Sequence, residues 1–398
     1  MKFLFENHTL DTNRRELRRG HELVALEPQV FDLLRYLIEN RDRVVSKDDL
    51  IAGVWGGRIV SDSTLDSRIN AARKALGDNG KEQRLIRTMA RKGFRFVGEV
   101  TEQAKPSEPE AAPPAAPDHP QQEVRFCTAS DGVRIAYALA GQGPPLVKAA
   151  NWLNHLEYDW QSPIWSHLLR ALAAKHRLIR YDARGNGLSD WDVGEISFDA
   201  FVRDLETVVE ANGLKRFALL GISQGCAVSV AYAVRYPERV SHLVLYGGFA
   251  RGRNRRGLEE ADTLLALIRQ GWGRENPAFR QFFTSLFLPE GTSEQMQWFN
   301  DLQRITTSPQ NAVRILEATG VIDVSDLLPR VTVPTLVLHC RNDAAQPFEE
   351  GRRIAAGIPG ARFVALEGNN HLMLESEPAW ARFIEEVETF LATDAIAI

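Results

Sequence analysis

Cysteine is scarce in this chain of 398 residues: Cys127, Cys226 and Cys340 stand far apart, without metal-type spacing. Three separated cysteines exclude a disulfide framework and a paired-cysteine zinc site. A secretory leader is also lacking, because Met1-Lys2-Phe3-Leu4-Phe5-Glu6 breaks into charge too early for an apolar leader segment. Residues 101–122 carry six prolines and no apolar run of the length a bilayer demands. They read as a semi-rigid linker. The expected setting is therefore cytoplasmic, with no membrane partner, and no metal or other cofactor is expected from any motif. Neither sign of charge dominates, since 48 Lys and Arg face 52 Asp and Glu. A hydrophobic fraction of 44% is enough for real cores, and the length has room for two domains.

The near balance of charge conceals an asymmetry. Residues 2–100 contain 19 basic and 15 acidic side chains, leaving 29 and 37 for the remainder. A basic segment joined to an acidic one points to a polyanion partner for the first alone.

In the acidic part, Gly221-Ile222-Ser223-Gln224-Gly225 follows the apolar run Phe217-Ala218-Leu219-Leu220. A serine between glycines at a strand-to-helix turn is a nucleophile elbow, and the chemistry it implies is acyl transfer. An acid and a histidine must follow in that order. Thr335-Leu336-Val337-Leu338-His339 reads as a buried strand ending at Arg341-Asn342-Asp343, and the strand Arg362–Leu366 leads through Glu367-Gly368-Asn369-Asn370 to His371. Ser223, Asp343 and His371 are thus the candidate catalytic residues. Two backbone donors for an oxyanion are expected at Gln224 and, after the strand at 146–150, at Trp152. The region 124–392 resembles the alpha/beta hydrolase superfamily. Arg180-Tyr181-Asp182-Ala183-Arg184-Gly185-Asn186-Gly187-Leu188-Ser189 is similar to a structural turn of that family. Family members usually carry His-Gly before the oxyanion residue, where this chain has Ala150-Asn151. Ser223 as nucleophile argues against a haloalkane dehalogenase, which would use a carboxylate.

The first hundred residues read differently. A helix opened by Pro28 spans about 26–37, a second starts at a Ser46 cap with Asp49 three residues on, and a third runs from about Ser63 to Leu76. Leu65, Ile69, Ala72 and Leu76 form the third helix's apolar face. Leu85 to Val97 reads as two strands around a basic turn. Three helices and a hairpin make a winged helix, and residues 3–99 resemble the OmpR/PhoB-type domain of transcriptional regulators. That resemblance implies double-stranded DNA as partner, with Arg68, Asn70, Arg73 and Lys74 on the third helix and Arg91 and Lys92 in the wing as candidate contacts. It also implies a homodimer or tandem binding. A receiver domain of the phosphorelay kind is not expected.

Some ninety residues separate the strand at 242–246 from the one at 335. Helical runs at 259–270, 277–288, 293–305 and 309–318, rich in aromatics, are expected to form a cap over an apolar or aromatic ligand. Arg251-Gly252-Arg253-Asn254-Arg255-Arg256 leaves the carboxyl end of a strand, where its cations either hold a carboxylate or phosphate or are solvated surface charge. Trp152, His155, Asp159, Trp160 and Trp165 are expected near the pocket mouth. The expected architecture is α/β and multidomain: a winged helix at 1–100, a linker at 101–122, and at 123–398 a doubly wound, mostly parallel sheet with a helical cap at about 250–328. Two functions fit it. One is a one-component transcriptional regulator that senses or hydrolyses a small molecule; the other is a serine hydrolase of esters, lactones, amides or carbon–carbon bonds with an accessory DNA-binding domain.

Overall fold

The structure is a computed structural model and describes residues 2–12, 16–20, 22–24, 26–55, 62–89, 92–103, 121–257, 260–272 and 277–393. The chain divides into two compact units, residues 1–114 and 115–398. The greater part of the expected linker, 104–120, lies outside the described residues.

The first unit begins with a feature the sequence reading missed. Strands β1 (Lys2–Phe5), β2 (His8–Asp11), β3 (Glu16–Arg19) and β4 (Glu22–Val24) form an antiparallel meander. Its inward alternation buries Phe3, Phe5, Leu10 and Leu17. Helices α1 (Pro28–Glu39), α2 (Lys47–Trp55) and α3 (Asp62–Ala75) follow. Ser46 Oγ accepts from the Asp49 N–H, while the Asp49 carboxylate accepts from the Ser46 N–H, closing the expected cap. Strands β5 (Ile86–Met89) and β6 (Gly93–Phe96) make the wing hairpin. Strand β7 (Thr101–Gln103) then pairs with β1. The unit therefore extends past the expected boundary at 100. Leu33, Leu34 and Leu37 of α1, Leu65, Ile69 and Ala72 of α3, and Phe94 and Phe96 of the wing share one core with the meander.

Asp78 sets the start of the wing. Its buried carboxylate accepts from the backbone N–H groups of Asn79, Arg84, Leu85 and Ile86.

In the second unit, β8 (Glu123–Thr128) and β9 (Arg134–Ala140) form an antiparallel edge. Strands β10 (Pro145–Lys148), β11 (Arg177–Tyr181), β12 (Phe217–Ile222), β13 (Val240–Tyr246), β14 (Thr335–Cys340) and β15 (Arg362–Leu366) are parallel to one another. The order is β15-β14-β13-β12-β10-β11-β9-β8, so β12 lies in the middle. A central parallel strand is covered on both faces, which explains its unbroken apolar run. Phe217 and Leu219 join the core on one side, while Ala218, Leu220 and Ile222 join the other.

Helices α4 (Leu156–Trp160), α5 (Ser166–Lys175), α6 (Phe198–Ala211), α7 (Gln224–Arg235), α12 (Phe348–Gly357) and α13 (Ala379–Leu391) belong to the sheet layer. Between β13 and β14 come α8 (Glu260–Gly271), α9 (Pro277–Phe287), α10 (Ser293–Thr306) and α11 (Pro309–Gly320), the expected cap. Its interior is partly polar: Thr284 Oγ1 donates to Asn300 Oδ1 at 2.6 Å and accepts from Gln303 Nε2 at 2.9 Å, joining α9 to α10. The Gly187 N–H donates to Thr306 O at 2.7 Å, which ties α10 to the turn at 180–189. Gly187 has φ +52°, and a Cβ there would fall 2.0 Å from an Asp182 carboxylate oxygen, so the glycine is required. Among the described residues no helix is long and apolar enough to cross a membrane.

Burial alone would raise the Asp78 pKa, but the four backbone donors outweigh it and hold the carboxyl below its ordinary value. The stability it contributes is present above about pH 4 and is lost as pH falls through the lowered value. Asp78→Ala should cost roughly 1–3 kcal/mol in chemical unfolding at neutral pH, because the donors lose their acceptor. The penalty should shrink below pH 4.

Candidate active site

The geometry of the site starts at the junction of β12 and α7. Strand and helix are both buried, and the chain passes between them through Ser223, whose φ is +53° and ψ −123°. A non-glycine residue in this region is strained and persists only where its surroundings impose it. The surroundings here are close. A Cβ on Gly221 would lie 2.7 Å from Cys226 Cα and from Gly225 O, and one on Gly225 would lie 3.1 Å from Ala150 O. The Ser223 N–H donates to Tyr246 O at 2.9 Å, and the Cys226 N–H to Ser223 O at 3.0 Å. The elbow is thus clamped to β13 and to the first turn of α7.

Asp343 follows β14, as expected, and His371 lies in the loop after β15. His371 Nδ1 is 2.7 Å from Asp343 Oδ2. The other carboxylate oxygen accepts from the N–H groups of Ala345 and Gln346, both at 2.9 Å. Burial pushes the Asp343 pKa up, but His371 and these donors win, and the group lies below its ordinary value. An ionised carboxylate only accepts hydrogen bonds, so the contact with Asp343 favours the tautomer in which Nδ1 donates. His371 is fully buried, and Nε2 makes no hydrogen bond within the described residues. Tyr246 and Gly247 link the two halves: Tyr246 O holds the elbow, and a Cβ on Gly247 would stand 3.3 Å from His371 Cε1 and 3.5 Å from Asp343 Oδ2. Phe287 covers the ring from the cap, with centroids 5.4 Å apart, and its carbonyl accepts from the His371 N–H at 2.9 Å.

Ser223 lines a cavity of about 50 Å³. Trp152 and Gln224, the expected oxyanion residues, both line it, as do Phe249, Leu264, Phe283 and Phe287. The polar side carries Arg253, Asn254, Arg256 and Gln346. The arginine run therefore faces the cavity with two of its members, a placement the sequence left open. Of the five residues expected at the pocket mouth, only Trp152 lines the cavity. Its ring is stacked 5.6 Å from Trp272 and edge-on to Phe283. His155 instead caps α4 by accepting from the Tyr158 N–H, buried Asp159 pairs with Arg180 at 3.7 Å, and Lys148 approaches the Trp165 ring. The fully buried Lys148 also donates to Asn151 Oδ1, where relatives usually have glycine. Burial lowers its pKa to about 8. Sequence reasoning missed Lys148 because a lone lysine at a strand end carries no signal until its burial is known.

In the first unit, Asn70 and Lys74 of α3 and Lys92 of the wing turn are exposed. A groove between α3 and the wing is lined by Lys47, Asp66, Asn70, Thr88 and Lys92. Arg68 is engaged by Glu27 in an ion pair. Arg73 requires a correction: it is buried, and its guanidinium donates to Ile86 O and Thr88 Oγ1. It ties α3 to β5 and is committed inside the unit, where a DNA contact was expected. Arg91 lies outside the described residues. Among the described residues no group of three or more His, Cys, Asp or Glu is placed to hold a metal.

A nucleophile elbow on a mostly parallel eight-stranded sheet, followed by an Asp–His pair and a helical cap, defines an alpha/beta hydrolase. Residues 155–378 match the family model described as alpha/beta hydrolase fold, and the chain belongs to that family. Residues 20–96 match a second model, transcriptional regulatory protein, C terminal, so the chain fuses the two. It is similar to pyrrolizixenacetamide deacetylase of Xenorhabdus hominickii, 27% identical over 66% of this chain and 96% of that one. Among solved structures it is similar to an esterase of Exiguobacterium antarcticum, with TM-score 0.57, 26% identity, and coverage of 67% of this chain and 99% of that one. It is also similar to a hydrolase of Pseudomonas aeruginosa, with TM-score 0.58, 26% identity, and coverage of 68% and 98%.

Gly221→Ala should lower thermal stability by roughly 2 kcal/mol or more, since the added methyl meets backbone that cannot move aside. Differential scanning calorimetry of the full chain would measure it.

Proposed function

We propose that this protein is a one-component transcriptional regulator whose hydrolase unit receives, and cleaves, an acyl compound. The observation that carries the reading is Ser223, held at positive φ on the wall of the cavity, with the buried Asp343–His371 pair following β14 and β15, beyond the neighbouring strand β13. The fused winged-helix unit supplies the output.

Ser223 Oγ attacks the acyl carbonyl as His371 Nε2 takes its proton. The carbonyl electron pair moves onto oxygen, where the N–H groups of Gln224 and Trp152 stabilise it; each such donor contributes about 10²–10³ in rate. Collapse expels the alcohol or amine, which leaves with the proton from His371. Water then attacks the acyl-serine, giving its proton to His371, and the carboxylic acid departs as Ser223 recovers its own. Asp343 stays ionised and stabilises the imidazolium throughout. The relatives named as a deacetylase and an esterase favour ester and amide substrates.

Hydrolysis of short acyl esters by the full chain tests this reading. Ser223→Ala should abolish turnover, and Asp343→Asn should lower kcat by roughly 10⁴-fold through the wrong imidazole tautomer. Turnover surviving in Ser223→Ala would refute the assignment.

For the output, Asn70, Lys74 and Lys92 are the exposed candidates for DNA, and Arg68 joins them once it leaves Glu27. Phosphate contacts make affinity fall with salt. Lys74→Ala and Lys92→Ala should each flatten the plot of log K against log salt by about 0.9 on duplex DNA, read by fluorescence anisotropy. An unchanged slope would remove that lysine from the interface. A compound that occupies the cavity should also shift DNA affinity, as differential affinity for two states of the protein requires.

A further inference from the structure

The cavity at Ser223 carries charge that ester hydrolysis alone does not require. Phe249, Leu264, Phe283 and Phe287 contribute apolar lining, and two guanidinium groups, Arg253 and Arg256, line it as well. No carboxylate is among the described residues that line it. The nearest acid that acts on Arg256 is Glu350, and Glu350 is already occupied: it accepts from the Ala250 and Arg251 N–H groups, from the Arg251 guanidinium at 3.1 Å, and lies 3.3 Å from Arg353. The neighbouring Arg251 thus takes the acid, and Arg256 does not.

Arg256 itself is under-satisfied. Its Nη2 reaches Gln346 Oε1 at 3.3 Å, while Nε and Nη1 are buried and have no acceptor among the described residues. A buried donor without an acceptor is costly, more so when charged. The position is also held firmly relative to the catalytic acid. Arg253 donates to Ala345 O, Arg256 to Gln346 Oε1, and the N–H groups of Ala345 and Gln346 both hold Asp343. The turn at Arg253–Arg256 is therefore built onto the loop that orients His371.

From this we infer that the hydrolase unit selects acyl compounds that carry a second, free carboxylate, with the apolar stem along the aromatic wall and the carboxylate against Arg256. The inference rests on the serine-hydrolase reading for turnover but not for binding. A neutral ligand would leave the guanidinium charge on the cavity wall unmatched, whereas a carboxylate supplies the opposite charge. Specificity of this kind is strong because the wrong ligand leaves buried polar groups unpaired.

Two matched pairs of probes test it on the full chain. In one the carboxylate is on the acyl part: the mono-4-nitrophenyl esters of adipic and suberic acid against 4-nitrophenyl hexanoate and octanoate. In the other it is on the leaving group: 4-acetoxybenzoate against its methyl ester. The expected result is a kcat/KM at least tenfold higher for the anionic member of one pair or both. Arg256→Gln should collapse that ratio and Arg256→Lys should keep part of it; because the ratio is read within each variant, loss of folded protein cancels. Calorimetric titration of the 4-acetoxybenzoate pair and of adipate and suberate monomethyl esters against their dimethyl esters into Ser223→Ala reads the same preference without turnover. Equal or weaker handling of the anionic members in both the kinetic and the binding arm overturns the inference and leaves the hydrolase reading intact. Absence of turnover with every probe overturns the hydrolase reading, and the binding arm then decides the inference alone.

Discussion

Everything in the hydrolase unit depends on one constraint: the chain must pass from a strand buried on both faces to a helix buried against it within a single residue. That residue is Ser223, at φ +53°. The strain is tolerable because Gly221 and Gly225 have no Cβ to collide with α7 and with the carbonyls of the oxyanion loop. The consequence is chemical. A side chain placed there cannot turn back into the core and stands instead in the cavity, beside the amide of Gln224 at a helix start. The same tight packing brings Tyr246 O to the Ser223 N–H and Gly247 against His371, so Ser223 and His371 are positioned by one strand end.

A second theme is how the unit manages buried charge. Asp343 is ionised in a site that disfavours ionisation because His371 and two backbone donors repay the desolvation. Arg184, fully buried, is matched by Asp204 at 2.7 Å and Asp131 at 2.6 Å in the turn at 180–189. Lys148 has Asn151 and, further off, Asp159. Against this background Arg256 stands out, since its neighbours satisfy one of three nitrogens. A guanidinium with unsatisfied nitrogens among the residues that line the cavity favours a functional explanation.

Much of this was legible in the sequence. The order Ser223, Asp343, His371 was readable because each member sits at the end of an apolar strand, and parallel strands announce themselves as unbroken hydrophobic runs. The four cap helices emerged within a residue or two because a helical run is a local signal. Other features needed the tertiary structure. The N-terminal meander is made of strands of three or four residues, too short for alternation to register against background, and β8 and β9 escaped as well. Arg73 looked like a DNA contact because it shares a helix face with Asn70, and only the packing of α3 against β5 shows that its donors are spent on Ile86 and Thr88. Cavity lining was the least legible: a run of four arginines reads as solvated charge until the chain places two of them beside Ser223.

The account stands or falls on whether Ser223 is an activated nucleophile. The most direct measurement is intact-mass and peptide mass spectrometry of the full chain after brief exposure to a fluorophosphonate, with a His371→Ala variant alongside. The account predicts a single adduct on the peptide that contains Ser223, formed rapidly in the native protein and lost in His371→Ala and on prior unfolding. No adduct, an adduct elsewhere, or equal labelling of the variant would contradict it.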